Sequence, residues 1–156
     1  MKLVLAAVGK PGGLLAPAIR EYETRAGRYW KLETAEVKPE RAAQNRPVTD
    51  VRQEEGARLR ALVPAGADIV ALTRSGETWN SERLAKYLGD LALRGSPGAA
   101  FLIGGAFGLD RTLIRDAAHR ISLSPMTMPH ELARLVLAEQ LYRAGTIVRG
   151  EPYHKG

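Results

Sequence analysis

The chain has 156 residues, with 23 Lys and Arg against 17 Asp and Glu for a formal charge of +6, and it contains no cysteine. A chain of that length is one domain that buries roughly 68–70% of the surface its unfolded form exposes. Its cationic excess favours nucleic acid over an acidic protein as partner, although an excess this modest also serves solubility alone. The missing thiols exclude disulfides, thiolate metal sites and cysteine nucleophiles, and no apolar run reaches the roughly 20 residues of a membrane span, so a soluble cytoplasmic protein is expected.

In chain order, Lys2–Val8 reads as a strand ended by the turn-forming run from Gly9 to Gly13. A helix is expected from about Leu15 to Arg28, with Leu15, Ile19 and Tyr22 on one face. Leu32–Val37 reads as a second strand, and Lys38 to Pro47, carrying Lys38, Arg41 and Arg46, as a polar loop. Thr49 or Asp50 can cap a helix running to about Val63. Within it Glu54 and Glu55 stand four and three residues from Arg58, the spacing of helical ion pairs on a solvated face. Alternation continues with strand Asp68–Thr73, helix Ser81–Leu93, strand Ala99–Ile103, helix Asp110–Ala118, strand Arg120–Ser124 and a helix from His130 to about Ala144. Ala99–Ile103 is apolar throughout rather than alternating, as in a parallel strand covered on both faces. The expected class is α/β, a parallel sheet sandwiched by helices, in one domain over residues 1–156.

Three loops follow strand ends: Leu72–Gly76, Ile103–Gly108 and Ser122–Pro129. In open parallel sheets ligands sit beyond the carboxyl ends of strands, so these loops can share one pocket. Gly104 and Gly105 permit positive φ and close approach to a ligand, though a tight strand-to-helix turn is the simpler account of a lone glycine pair. Neither G-x-G-x-x-G nor G-x-x-x-x-G-K-[ST] occurs, so a phosphate cradle is unsupported, whereas an adenosine ligand without phosphates is compatible. Leu123, Met126 and Met128 offer it apolar contact, and Pro125 and Pro129 fix the loop while leaving the intervening amides free. The methionines serve equally well as plain core. The segment Arg149–His154 gathers an aromatic, an imidazole and cations, while His119, His130 and His154 are too far apart in sequence for a local metal motif, so no metal is expected.

Phe101–Leu109, Ile121–His130, Arg134–Ala144 and Gly150–His154 together resemble the RlmH family of knotted SPOUT RNA methyltransferases. Met1–Gly9 and the chain length also match, and the resemblance is weakest between Lys38 and Gly66. It implies a SPOUT-type sheet with a C-terminal deep trefoil knot, the knotted cofactor-binding part covering roughly residues 67–156, and a homodimer. It also implies S-adenosyl-L-methionine as methyl donor, held by Leu72, Gly104, Leu123, Ser124, Pro125, Met126, Thr127 and Met128, the contacts at Pro125 and Met126 being through backbone. The methyl acceptor implied is N3 of a pseudouridine in the helix 69 stem-loop of 23S ribosomal RNA within assembled ribosomes. His154 is the candidate proton acceptor, imidazole being the side chain suited to proton transfer near neutral pH, and Tyr153 and Arg143 are the groups that orient the base or stabilise its anion. The tail of one subunit is expected to complete the pocket of the other.

The same motifs are compatible with a SPOUT methyltransferase of another RNA such as tRNA, and with a non-catalytic ribosome-binding module. Three further expectations follow: an interface on the last helix, where Leu132, Leu135, Val136, Leu137 and Leu141 cover more than one face; ribosome contacts at Arg25 or Arg28; and loss of donor binding in a folded Gly104→Val variant.

Overall fold

The computed structural model describes residues 1–155. Its elements are β1 (Lys2–Val8), a 3-10 turn at Gly13–Leu15, α1 (Ala16–Ala26), β2 (Leu32–Val37), α2 (Val48–Arg60), β3 (Asp68–Thr78), α3 (Ser81–Leu93), β4 (Gly98–Ile103), α4 (Arg111–Asp116), β5 (His119–Ser122) and α5 (His130–Val148). The strands form one parallel sheet in the order β2-β1-β4-β3-β5. Side chains alternate across the two central strands. Leu3, Leu5, Ala7, Ala99, Phe101 and Ile103 join the cluster that packs with α3 and α5, while Val4, Ala6, Val8, Ala100 and Leu102 join Leu59 of α2 and Leu113 of α4. Both faces are covered, which is why the two strands read as continuous apolar runs.

Helix limits depart from the sequence reading for local reasons. Leu15 belongs to the 3-10 turn, and α1 stops at Ala26, before Gly27. Pro47, whose fixed φ suits helix entry, precedes Val48, so Thr49 and Asp50 lie inside the first turn of α2 rather than capping it. That helix ends at Arg60, not Val63, ahead of Pro64. α4 and β5 are shorter than expected, and α5 runs four residues past Ala144 until Gly150, at φ +68°, breaks it.

Two larger corrections bear on the site. Thr73–Gly76 is not a free loop: β3 continues to Thr78, pairing both Leu72 and Glu77 with Ile121 around an irregularity. Gly76 lies directly on the β5 backbone, where a Cβ would come within 2.8 Å of the Arg120 carbonyl, so only glycine fits that crossing. Second, Glu55 is buried, and neither Glu54 nor Glu55 pairs with Arg58. Arg58 and Arg46 both pair instead with Glu40 of the preceding loop.

Helix α5 packs against both α1 and α3, sinking Leu137, Ala138, Leu141 and Ala144 into the core. Buried Arg134 bridges Glu23 at 2.6 Å and Glu36 at 2.7 Å, fastening α5 to α1 and β2. Burial works against its charge, but the two carboxylates outweigh that and raise its pKa. Leu137 and Leu141 are thus spent inside the chain, so part of the apolar breadth that reads as an interface is core. Leu132 is left exposed, with Leu135 and Val136 half-buried.

Candidate functional site

The segments that follow the parallel pairing of β3, β4 and β5 line one cavity of about 770 Å³. Leu72, Gly104, Leu123, Ser124, Met126, Thr127 and Met128 all belong to its wall, while Pro125 stands outside the lining. The middle turn is closed by a bond from the Gly108 N–H to the Gly105 carbonyl at 3.0 Å. Gly108 takes the positive φ of this turn, at +81°, and neither Gly104 nor Gly105 uses the freedom its missing side chain permits. What Gly104 provides is close approach: a Cβ there would lie 2.5 Å from the Gly108 carbonyl carbon and 2.7 Å from the Leu109 nitrogen. Gly104→Val therefore collides with the turn itself and is not the clean, folded probe the sequence suggested.

Neighbouring side chains hold these segments together. Arg52 of α2 donates from Nε to the Phe107 carbonyl at 2.7 Å, and Arg74 donates from Nη1 to Thr127 Oγ1 at 2.5 Å, joining β3 to the last loop. Met126 is 78% exposed and its N–H bonds Ser124 Oγ at 3.0 Å, so that amide is used within the loop rather than left free. Arg52, Arg74, Arg111 and His130 line the cavity, and no carboxylate does, so its field is cationic. The volume lies inside the ~300–1,000 Å³ usual for small-molecule sites. Apolar walls at Leu72, Ile103 and Leu123, a glycine turn and nearby guanidiniums suit a ligand that combines a heterocycle with a carboxylate.

A family model described as "Predicted SPOUT methyltransferase" matches residues 1–154. The chain belongs to the SPOUT methyltransferase family. Three similar proteins carry the name ribosomal RNA large subunit methyltransferase H. The one from Gemmatimonas aurantiaca is 47% identical over 156 residues, covering 99% of this chain and 100% of that protein. Those from Clostridium novyi and Nitrosospira multiformis are 40% and 41% identical, covering 99% of this chain and 100% and 99% of their own. SPOUT methyltransferases generally use S-adenosylmethionine, and the wall of this cavity fits such a donor.

The three tail-side candidates also gather, but elsewhere: Arg143, Tyr153 and His154 are near neighbours, and none lines this cavity. Arg143 donates to Glu139 Oε1 from Nε at 3.0 Å and Nη2 at 2.5 Å, with its guanidinium 4.8 Å from the Tyr153 ring centroid. Tyr153 donates to the same oxygen at 3.1 Å, and burial together with that bond pushes its hydroxyl up to about 12. His154 sets Nε2 2.9 Å from Glu82 Oε1 and Nδ1 3.4 Å from Arg143. The imidazole bond holds the Glu82 carboxyl below its ordinary range.

Glu82 and Glu139 escaped the sequence reading. Glu139–Arg143 has the i,i+4 spacing of a helical pair and was legible; Glu82 stands 72 residues from His154 and resembles any acid in a first helical turn. Arg25, expected on the ribosome-facing surface, is committed here, bonded to Glu21 at 2.8 Å and lying over the Tyr22 and Tyr142 rings. Among the described residues no three His, Asp or Glu cluster as metal ligands would, and no helix is long and apolar enough to cross a membrane.

Proposed function

We propose that this SPOUT methyltransferase acts on 23S ribosomal RNA, methylating N3 of a pseudouridine in the helix 69 stem-loop of assembled ribosomes in the cytoplasm. The observation that carries the reading is likeness over the whole chain to proteins named ribosomal RNA large subunit methyltransferase H, in a chain whose three strand-end segments share one cationic cavity. The donor is S-adenosyl-L-methionine, which when bound supplies an electrophilic sulfonium methyl group. Leu72, Gly104, Leu123, Ser124, Met126, Thr127 and Met128 hold it, and Pro125 fixes the course of their loop.

N3 of a pseudouridine is an imide nitrogen that keeps its proton at neutral pH, so its lone pair must be freed as the N3–C bond forms and the S–C bond breaks. His154 takes that proton. With Nε2–H donating to Glu82, Nδ1 is the accepting atom, and its 3.4 Å contact with Arg143 is long enough to yield. Glu82 then faces the imidazolium, an arrangement of base and orienting carboxylate common to proton-transfer sites. Tyr153 stays protonated at neutral pH and turns its one O–H from Glu139 to the carbonyl oxygen that gains charge, beside Arg143, whose Nη1 is not used on Glu139.

Because these tail residues do not line the cavity of their own chain, the productive unit is a homodimer in which one subunit's tail serves the other's cavity. We also propose that the segment from about residue 67 is knotted. The crossing of Gly76 on β5, and the return of α5 from that edge strand to a place against both α1 and α3, support it. Pulling the termini of a knotted chain would leave it short of the ~3.3–3.6 Å per residue of a fully extended one; full extension would refute the knot.

The substrate is tested by mass spectrometry of 23S RNA from a strain lacking the gene, with methyl incorporation into ribosomes, isolated large subunits and protein-free 23S RNA under one buffer. Loss of one N3-methylpseudouridine, and incorporation only into ribosomes, are expected. An unchanged modification pattern in the deletion strain would overturn the substrate.

A further inference from the structure

Glu55 sits where an acid is costly. The residue is 4% exposed, Oε2 accepts the Glu40 N–H at 3.1 Å, and Oε1 is buried without a hydrogen-bond partner. A buried unsatisfied carboxylate oxygen costs more than a packed methyl, so a residue kept in this state needs a reason beyond packing.

The surroundings supply one. A Cβ at Gly105 would meet Glu55 Oε1 at 3.2 Å, Oε2 at 3.3 Å and Val8 Cγ1 at 3.1 Å, so the carboxylate lies directly beneath the turn that lines the cavity. One turn earlier on α2, Arg52 bonds the Phe107 carbonyl of the same turn. Gly56 brings α2 against the start of α4, where a Cβ would come within 2.7 Å of Asp110 Cβ. Three positions of one helix therefore brace the segment from Gly105 to Asp110. Within the turn, Gly105 and Gly108 pair as an antiparallel bridge, with the Gly108 N–H bonded to the Gly105 carbonyl at 3.0 Å, whereas the Ala106 N–H donates to no main-chain carbonyl among the described residues.

Resting on the donor reading of this cavity, we propose that Glu55 is a positioning residue for methyl transfer. Its free Oε1 accepts the Ala106 N–H when the donor is bound, and so fixes the turn against which the donor lies. Glu55 touches neither donor nor RNA; it acts through the turn.

Glu55→Gln is the discriminating variant. Its amide oxygen satisfies the Glu40 N–H, which leaves the NH2 group facing the turn, donor against donor, while volume is unchanged and a buried charge is removed. Calorimetry with S-adenosylmethionine and with S-adenosylhomocysteine should give at least about a tenfold loss of affinity, near 1.4 kcal/mol. The melting temperature should hold or rise, and ribosome binding should stay within about twofold. In turnover, the loss should fall on KM for the donor more than on kcat. Glu55→Asp, which keeps the charge but retreats by one methylene, should recover part of the affinity.

Donor affinity within twofold of the unsubstituted protein in folded Glu55→Gln would overturn the proposal. So would a parallel fall in melting temperature, donor affinity and ribosome affinity, which is what a purely structural role gives. Failure of the unsubstituted protein to bind either ligand would instead sink the donor reading itself, so the two failures are distinguishable.

Discussion

The strand-end cavity and the tail cluster lie on the same small fold and are built by opposite means. The cavity leans on backbone: Gly104 lets chain segments approach within distances no side chain allows, Gly76 does the same where β3 crosses β5 beside it, and its lining holds cations without a carboxylate. The tail cluster is made from side chains that already satisfy one another, with Glu139 shared by Arg143 and Tyr153, and Glu82 bonded to His154. A surface with unbalanced charge and an accessible hollow is ready for a ligand. A surface of mutually paired groups is ready to orient a reaction once something is brought to it. Under the proposed function the first contributes binding and the second proton handling, and substitutions in them should fail differently.

The largest effect is expected at Gly104→Val. The clash with Gly108 and Leu109 should destabilise the protein by about 2 kcal/mol or more and abolish donor binding, read by thermal melts and calorimetry. Retained donor affinity would show that this close approach does not shape the cavity. In the tail, His154→Ala should lower kcat by roughly 10²-fold while donor affinity, measured separately, stays within about twofold. A loss of donor binding equal to the loss of rate would erase the distinction between the regions. Glu82→Gln keeps a hydrogen bond to His154 but not the charge that stabilises its imidazolium, so kcat should fall only about tenfold.

The smallest effect separates both regions from mere scaffolding. Arg58 and Arg46 hold the Glu40 carboxyl below its ordinary range. A carboxyl depressed in the folded state contributes stability that is full above its unfolded value of about 4.3 and is lost as pH falls through the lower folded value. The stability gap between the unsubstituted protein and Glu40→Gln should thus be present at neutral pH and close below about pH 4. A gap independent of pH would mean that the ion pairs are not its source.

The sequence made the central sheet legible because β1 and β4 are buried on both faces, so their apolar runs have no polar interruption. It misled at β3, where Arg74, Ser75 and Gly76 have the composition of a loop yet the strand resumes, since only the partner β5 explains why Gly76 is there. It misled again at Glu55, because helical spacing sees Arg58 but not Glu40, the acid from the preceding loop that takes Arg58 instead. Strand-end loops pointed to a shared pocket, and of the eight residues that the family resemblance assigned to the donor seven line the cavity while Pro125 does not, because a proline that shapes a loop and one that touches a ligand look alike in sequence. Glu82 was invisible for the same reason as Gly76: its meaning comes from a contact far along the chain.

The central claim, that one chain's cavity is served by its partner's tail, is tested most directly by mixing two inactive variants. Ala106→Trp would fill the cavity mouth and leave the tail intact, and His154→Ala would do the reverse. In a randomly mixed dimer population half the dimers are hybrids, and each hybrid carries one site with an intact cavity and an intact partner tail. Co-expression of the two variants should restore methyl incorporation into ribosomes to about one quarter of the unsubstituted rate. No recovery from folded, demonstrably hybrid dimers would mean that the tail serves its own chain, and would contradict the account.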